Sequence, residues 1–249
     1  MIHSFLLIGQ SNMAGRGFMQ DAPELNDARL LVLRNGRWQK MFRPVSSDRA
    51  FAGVSLAESF AAAYASDHGV YCGVIPCADG GTSLDQWREG SLLYDNAVYS
   101  ARLAERTSTI AGVLWHQGET DCHDGRWQHY EEKLTAIFSA LKRDLNLYDV
   151  PFLVGGLGDY LIKREEPQYV NYPRVNEALK HYASVTPMTG FVSAENLTSN
   201  PDNLHFCTPS LIEFGKRYYE VFKTLEDKNK VFTEKPDMDF SHRGALEEL

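Results

Sequence analysis

Short apolar runs alternate with longer amphipathic stretches along most of this chain. The first run is Ile2–Ile8, and similar runs follow at Tyr71–Ile75, Ile110–Trp115 and Phe152–Gly155. Apolar runs of this length that end on glycine or polar residues are typical of buried strands. They predict the main strands of a central sheet, with a short last strand at Gly190–Ser193.

The stretches between these runs have a helical period. In Val54–Asp67, Leu56, Phe60 and Tyr64 recur four residues apart and share one face. Alternation of strands with helices implies βαβ crossovers and a parallel sheet covered on both faces. We therefore expect an α/β fold, a flavodoxin-like three-layer α/β/α sandwich with a mainly parallel sheet. The other predicted helices are Leu92–Arg106, Trp127–Leu145, Gln168–Ala183 and Pro209–Leu225.

Two segments depart from this alternation. Leu30–Leu33 and Trp38–Met41 flank Asn35-Gly36, a pair that favours the tight turn of a hairpin. Residues 226–249 are polar and mixed, contain Pro236 and show no sustained helical period. We expect a single domain over residues 1–225, followed by a tail or arm.

Charge and cysteine content limit the possible partners. The formal net charge is −8 without a block of basic residues, which argues against nucleic acid and anionic membranes. No apolar run is long enough for a membrane span or a secretory segment. The four cysteines form no Cys-x-x-Cys pair, so we expect reduced thiols and a cytoplasmic protein.

Polar and glycine-rich residues follow each of the first three main strands. In a parallel sheet, functional sites lie outside the carboxyl ends of the strands. The three segments, and a fourth before the last helix, are therefore expected to meet at one rim. They are residues 9–12 (Gly-Gln-Ser-Asn), 78–83 (Ala-Asp-Gly-Gly-Thr-Ser), 116–121 (His-Gln-Gly-Glu-Thr-Asp) and 201–206 (Pro-Asp-Asn-Leu-His-Phe).

Ser11 is the candidate nucleophile, because it lies at a strand-to-helix turn where backbone N–H groups favour negative charge. An isolated serine at this place is more simply a helix cap. His205 is the candidate base, and Asp202 is three residues away, so that its carboxylate can orient the imidazole. His116 competes for the role of base, but it directly follows a strand and is expected to form the floor of the site.

An acyl-transfer site also needs donors for the oxyanion. Gly80 and Gly81 offer backbone N–H groups with no side chain in the way. Gln117 offers a side-chain amide, and Glu119 is expected to fix Gln117 or a neighbouring loop. A plain turn and ordinary polar loop residues are the simpler alternatives.

Together these segments resemble the sialate O-acetylesterase and acetylxylan esterase group of the SGNH hydrolase superfamily, a carbohydrate esterase family. The resemblance implies that Ser11, His205 and Asp202 form a catalytic triad. It also implies that the Ser11 and Gly81 N–H groups and the Gln117 amide form the oxyanion hole. The residues that carry it are 9–13, 80–83 with Trp87, 115–121 and 202–205.

By the same resemblance, the substrate is an acetylated carbohydrate, either an acetylated xylo-oligosaccharide or a sialic-acid-type sugar. The reaction passes through an acetyl-enzyme and uses no cofactor or metal. Gln10, Gly80, Trp87 and Glu119 are expected to bind substrate or support the site. Trp87 either stacks on a sugar ring or packs in the interior, and Gln117→Ala is expected to cost roughly 100- to 1000-fold in kcat.

Three other functions remain open from the sequence. Polar residues crowd the loop after the third strand but lack the spacing of a zinc motif. A glycoside hydrolase would pair Glu119 with Asp121 or Asp202 but would leave Ser11 and His205 unused. A carbohydrate-binding protein without turnover is the third. The crowded residues are His116, Glu119, Asp121, Cys122, His123 and Asp124.

Overall fold

The structure, a computed structural model, describes residues 1–226. A seven-stranded sheet forms its centre, in the order β3-β2-β4-β1-β5-β6-β7. Every neighbouring pair is parallel except β2 and β3, which form the predicted hairpin. The strands are β1 (Ile2–Gly9), β2 (Leu30–Arg34), β3 (Arg37–Lys40), β4 (Tyr71–Pro76), β5 (Thr109–His116), β6 (Phe152–Gly155) and β7 (Thr189–Val192).

Helices cover the sheet in two groups. Helix α2 packs against α6, whereas α3, α4 and α5 contact one another in succession. The predicted α/β/α architecture with a mainly parallel sheet is therefore confirmed. Within residues 1–226, no helix is long and apolar enough to span a membrane. The helices are α1 (Ser11–Ala14), α2 (Leu56–His68), α3 (Leu92–Ala104), α4 (Tyr130–Leu145), α5 (Tyr172–Val185) and α6 (Thr208–Leu225).

Strand β1 lies in the middle of the sheet, and all eight of its residues are buried. The Phe5 ring meets Phe60 and Tyr64 of α2 and Phe222 of α6 edge-on, at centroid distances of 4.7, 4.7 and 5.5 Å. Each buried aromatic ring of this kind contributes roughly 1.5–3 kcal/mol through removal of apolar surface from water. This packing fixes the strand whose end carries the nucleophile candidate.

The helix boundaries differ from the predicted ones for local reasons. Helix α2 begins at Leu56 rather than Val54, because the Ser55 hydroxyl accepts a hydrogen bond from Ala57 N–H and Glu58 bonds back to Ser55 N–H. Helix α4 begins at Tyr130 because residues 126–129 form a 3₁₀ turn. The predicted tail, apart from its first residue, lies outside the described residues.

Candidate active site

The first strand ends at a glycine because of a close backbone approach. Gly9 has φ of +127°, and a Cβ atom there would lie 2.1 Å from the carbonyl oxygen of His116 at the end of β5. Gln10 N–H donates to that same oxygen at 2.8 Å, and Asp79 N–H donates to the Gly9 carbonyl at 3.0 Å. The loops after β1, β4 and β5 therefore meet directly, as the sequence predicted.

Ser11, His205 and Asp202 form one hydrogen-bonded chain. The distance from His205 Nε2 to Ser11 Oγ is 3.0 Å, and that from His205 Nδ1 to Asp202 Oδ2 is 2.6 Å. The carboxylate can only accept, so Nδ1 carries the proton and Nε2 presents its lone pair to the serine hydroxyl. This arrangement suits removal of the Ser11 proton.

Asp202 is held as a carboxylate in this chain. Its Oδ1 atom accepts hydrogen bonds from the backbone N–H groups of Leu204 and His205 at 2.9 and 3.0 Å. Partial burial acts to raise the pKa of Asp202, but the hydrogen bonds from the His205 ring and the backbone outweigh it and lower this pKa to about 2. The group that orients His205 is thus ionised throughout the neutral range.

Asn12 joins the nucleophile turn to the histidine loop. Its Oδ1 atom accepts from Phe206 N–H at 3.0 Å, and its Nδ2 atom donates to the Leu204 carbonyl at 3.1 Å and to Glu119 Oε1 at 2.5 Å. These bonds clamp the residues on both sides of His205. The sequence did not predict this role for Asn12, although Asn12 directly follows the candidate nucleophile in the first motif.

The glycine loop after β4 lies against Ser11. A Cβ atom on Gly80 would be 3.4 Å from Ser11 Cβ. The loop is fixed by Asp48, which accepts from Gly80 N–H at 3.0 Å and from Arg16 at 2.6 Å. The next residue, Gly81, has φ of +78° and open space around its Cβ position. Arg16 is therefore structural here, and nothing in the local sequence indicated Asp48.

Among the described residues, two backbone N–H groups near the candidate nucleophile have no acceptor. The N–H groups of Ser11 and Gly81 donate no hydrogen bond to any acceptor within residues 1–226. Unpaired backbone donors near a candidate nucleophile are the groups that an oxyanion hole requires. The two backbone N–H groups that the resemblance assigned to the oxyanion hole are thus left without an acceptor among residues 1–226.

The hydrogen bonds of Gln117 argue against its expected role as the side-chain donor of the oxyanion hole. Its Nε2 atom donates to the Thr82 carbonyl at 3.0 Å and to Asp121 Oδ2 at 2.5 Å, and the residue is fully buried. Both of its N–H atoms are used inside the protein, so none is left for an oxyanion. The residue instead ties the glycine loop to the loop after β5. The motif did not reveal this side-chain direction, and the oxyanion role of Gln117 stays a prediction.

This contact changes the expected effect of Gln117→Ala. The truncation leaves the buried Asp121 carboxylate, whose pKa burial already raises, with fewer donors. We expect unfolding free energy to fall by roughly 1–3 kcal/mol and kcat by less than about tenfold. Thermal unfolding and steady-state kinetics measure the two effects, with the exposed Gln128→Ala as the control. A loss above 100-fold in kcat with unchanged stability would restore the oxyanion role.

Trp87 takes the second of its two expected roles and packs in the interior. It is only 1% exposed, its Nε1 atom donates to Thr82 Oγ1 at 3.0 Å, and its ring packs edge-on against Trp115. It supports the glycine loop from beneath and has no surface for stacking on a sugar. Gln10 is also supporting: its Oε1 atom accepts long hydrogen bonds, of 3.4 and 3.5 Å, from Gly118 and Thr120 N–H.

His116 lies in the floor of the site. Its Nε2 atom donates to the Gly156 carbonyl at 3.2 Å, and its Nδ1 atom is 3.7 Å from Glu119 Oε1. Burial lowers the pKa of His116, partly against the influence of Glu119. The ring is fully buried, and the histidine that contacts the Ser11 hydroxyl is His205.

The crowded loop after β5 offers neither a metal site nor an open carboxylate pair. Within residues 1–226, no three histidine, cysteine, aspartate or glutamate side chains are arranged to hold a metal ion. Glu119 and Asp121 are 2% and 0% exposed, so neither can approach a glycosidic bond. The paired-carboxylate alternative therefore has no accessible pair in this loop.

Comparison with known proteins shows which family this chain resembles. Residues 1–224 match the family described as "Carbohydrate esterase, sialic acid-specific acetylesterase". An Arabidopsis thaliana protein named probable carbohydrate esterase is 30% identical over an alignment of 239 residues, and the match covers 85% of this chain and 86% of that protein.

Solved structures agree in fold. The X-ray structure of a protein from Arabidopsis thaliana aligns with a TM-score of 0.80 and 27% identity, covering 89% of this chain and 98% of that one. The structure of NanS aligns with a TM-score of 0.68 and 17% identity, covering 90% and 97%, which shows the fold alone. Because the family match extends from residue 1 to residue 224, the chain belongs to the carbohydrate esterase family of the sialic acid-specific acetylesterase type, and it is a carboxylic ester hydrolase.

Proposed function

We propose that this protein removes O-acetyl groups from carbohydrate with Ser11 as the nucleophile. The observation that carries the proposal is the chain from Ser11 Oγ through His205 to Asp202, with distances of 3.0 and 2.6 Å. Both distances lie within hydrogen-bonding range before any substrate binds. Membership of the carbohydrate esterase family supports an ester as the bond that is cleaved and a carbohydrate as the molecule that carries it.

In the first step, His205 Nε2 takes the Ser11 proton as Oγ attacks the acetyl carbonyl carbon. The tetrahedral intermediate places its negative oxygen toward the Ser11 and Gly81 N–H groups. Collapse breaks the bond to the sugar oxygen, which leaves with the proton from His205. Asp202 stabilises the transient imidazolium and stays ionised, since its pKa is about 2.

In the second step, water replaces the sugar. His205 removes a proton from the water as it attacks the acetyl-enzyme, and the second intermediate uses the same two donors. Its collapse releases acetate and returns the proton to Ser11 Oγ. The cycle needs no cofactor or metal, because the imidazole moves every proton.

The substrate is proposed as an acetylated xylo-oligosaccharide or an acetylated sialic-acid-type sugar, and the location as the cytoplasm. All four cysteines, Cys72, Cys77, Cys122 and Cys207, are free thiols, which supports a reducing compartment. Cell fractionation that finds the protein outside the cytoplasm would remove this part of the proposal.

Covalent labelling tests the proposed nucleophile. An organophosphonate is expected to add one phosphonyl group to the protein, on the peptide that contains Ser11. Peptide mass spectrometry measures the number and the position of the added groups. Release of acetate from acetylated xylo-oligosaccharide, compared with acetylated sialic acid, then identifies the sugar. Modification at any other serine, with acetate release unaffected, would overturn the assignment.

A further inference from the structure

A cleft opens beside the histidine of the triad. It has a volume of about 650 Å³, within the range of roughly 300–1,000 Å³ that is usual for small-ligand sites. Both His205 and Asp202 border it. The sugar oxygen receives its proton from His205, so the leaving sugar must lie on the histidine side of Ser11. The cleft is therefore placed to hold the part of the substrate that leaves.

Three apolar side chains line this cleft and are exposed to solvent. Phe51 is 71% exposed, and Phe18 and Met19 are each 45% exposed. Clustered exposed apolar side chains beside a site are typical of a surface that a ligand covers. These three side chains, rather than the buried Trp87, offer an exposed aromatic and apolar surface to a sugar ring.

The backbone holds these side chains together. Gly17 and Val54 pair in an antiparallel bridge, with Val54 N–H donating to the Gly17 carbonyl at 2.9 Å. The bridge sets Phe18 beside the segment that contains Phe51. The Arg16 guanidinium lies 5.2 Å from the centre of the Phe51 ring, on the order of a cation–π contact. The ring is thus supported from one side and open on the other.

The charges around the cleft are balanced or negative. The guanidinium of Arg16 is paired with Asp48 at 2.6 Å, with the two side chains 5% and 3% exposed. Arg49, next to the cleft, is paired with Asp79 at 3.0 Å. The remaining charged side chain of the lining is the Asp202 carboxylate. A negatively charged sugar would therefore meet a carboxylate and, among the cleft-lining residues of the described chain, no unpaired cation.

We propose that Phe18, Met19 and Phe51 bind the sugar that leaves, and that this subsite takes a neutral acetylated sugar in preference to an anionic one such as sialic acid. The C–H face of a pyranose ring covers the open Phe51 face and removes apolar surface from water. This inference rests on the proposed function, since it assigns the sugar-binding side of the same site.

Phe51→Ala tests the subsite on substrates of different size. For an acetylated methyl xyloside we expect kcat/KM to fall about tenfold, mainly through KM. For ethyl acetate, whose leaving group is too small to reach the ring, we expect a change within about twofold. Phe51→Tyr keeps the ring face and is expected to retain most activity. The control is Phe42→Ala, which removes a ring that is 41% exposed and packs on Arg34 outside the cleft.

Charge preference and binding complete the test. Wild-type protein is expected to favour the acetylated xyloside over acetylated sialic acid by at least about tenfold in kcat/KM. Unacetylated xylobiose is expected to bind wild-type protein more tightly than Phe51→Ala in ligand-observed NMR, a readout that needs no turnover.

Each contrary result has a distinct meaning. Equal behaviour of Phe51→Ala and Phe42→Ala, equal losses on both esters, or preference for the acetylated sialic acid would overturn the subsite. Xylobiose binding that Phe51→Ala weakens, with no ester hydrolysed by wild-type protein, would keep the subsite and overturn the proposed esterase mechanism.

Discussion

Replacement of Ser11 by alanine is expected to lower kcat for ester hydrolysis roughly 10⁴- to 10⁶-fold. The acetyl-enzyme cannot form without Oγ, and no other hydroxyl lies within hydrogen-bonding distance of His205 Nε2 in residues 1–226. The remaining rate is what the backbone donors and binding give to direct attack by water. Acetate release under single-turnover conditions measures it.

The fold should survive this change. Ser11 makes one side-chain hydrogen bond, to His205, so loss of the hydroxyl leaves no buried donor or acceptor in an apolar setting. Ser184→Ala, an exposed serine of α5, is the matched control and should keep full activity. Purified Ser11→Ala that hydrolyses the ester at the wild-type rate would refute Ser11 as the nucleophile.

Removal of the imidazole in His205→Ala is expected to lower kcat roughly 10⁴-fold. The Ser11 hydroxyl then has no base, and the leaving sugar oxygen has no acid. The vacated space lies beside the 650 Å³ cleft, so added imidazole has a route to the nucleophile. Partial recovery of the rate with imidazole concentration would distinguish lost proton transfer from a misplaced loop.

The matched control is His181→Ala, because this exposed histidine of α5 contacts Glu131 of α4 and no residue of the triad. Asp202→Asn should cost less than loss of the histidine, since the Asp202 side chain is 40% exposed and water can take over part of its role. Wild-type activity in His205→Ala would overturn the role of His205 as the base.

The strands were predictable because they follow from the hydrophobic periodicity. The proximity of the four motif segments was predictable because it follows from the parallel topology. A run such as Phe152–Gly155 has few alternatives when helices flank it, and the structure gives the same bounds. The carboxyl ends of parallel strands share a rim, so the proximity of Ser11 to the Gly80 loop followed from order alone. The catalytic roles themselves stay predictions.

Side-chain direction was not predictable in the same way. Gln117 and Trp87 are both polar-tipped residues in motif segments, and both turn inward, because Thr82 and Asp121 offer acceptors beneath the surface. Phe51 turns outward, against the usual preference of an aromatic residue. Burial of this kind depends on contacts between distant segments, which no local pattern contains.

The position of β1 between β4 and β5 has a consequence for the order in which the protein is made. Strand β1 has no partner strand until residues 71–76 are synthesised, and its second edge stays unpaired until residues 109–116 follow. The candidate nucleophile Ser11 can contact its candidate base, His205, only after a further 194 residues have been synthesised. An apolar strand that is unpaired for so long is a natural binding site for a chaperone during synthesis.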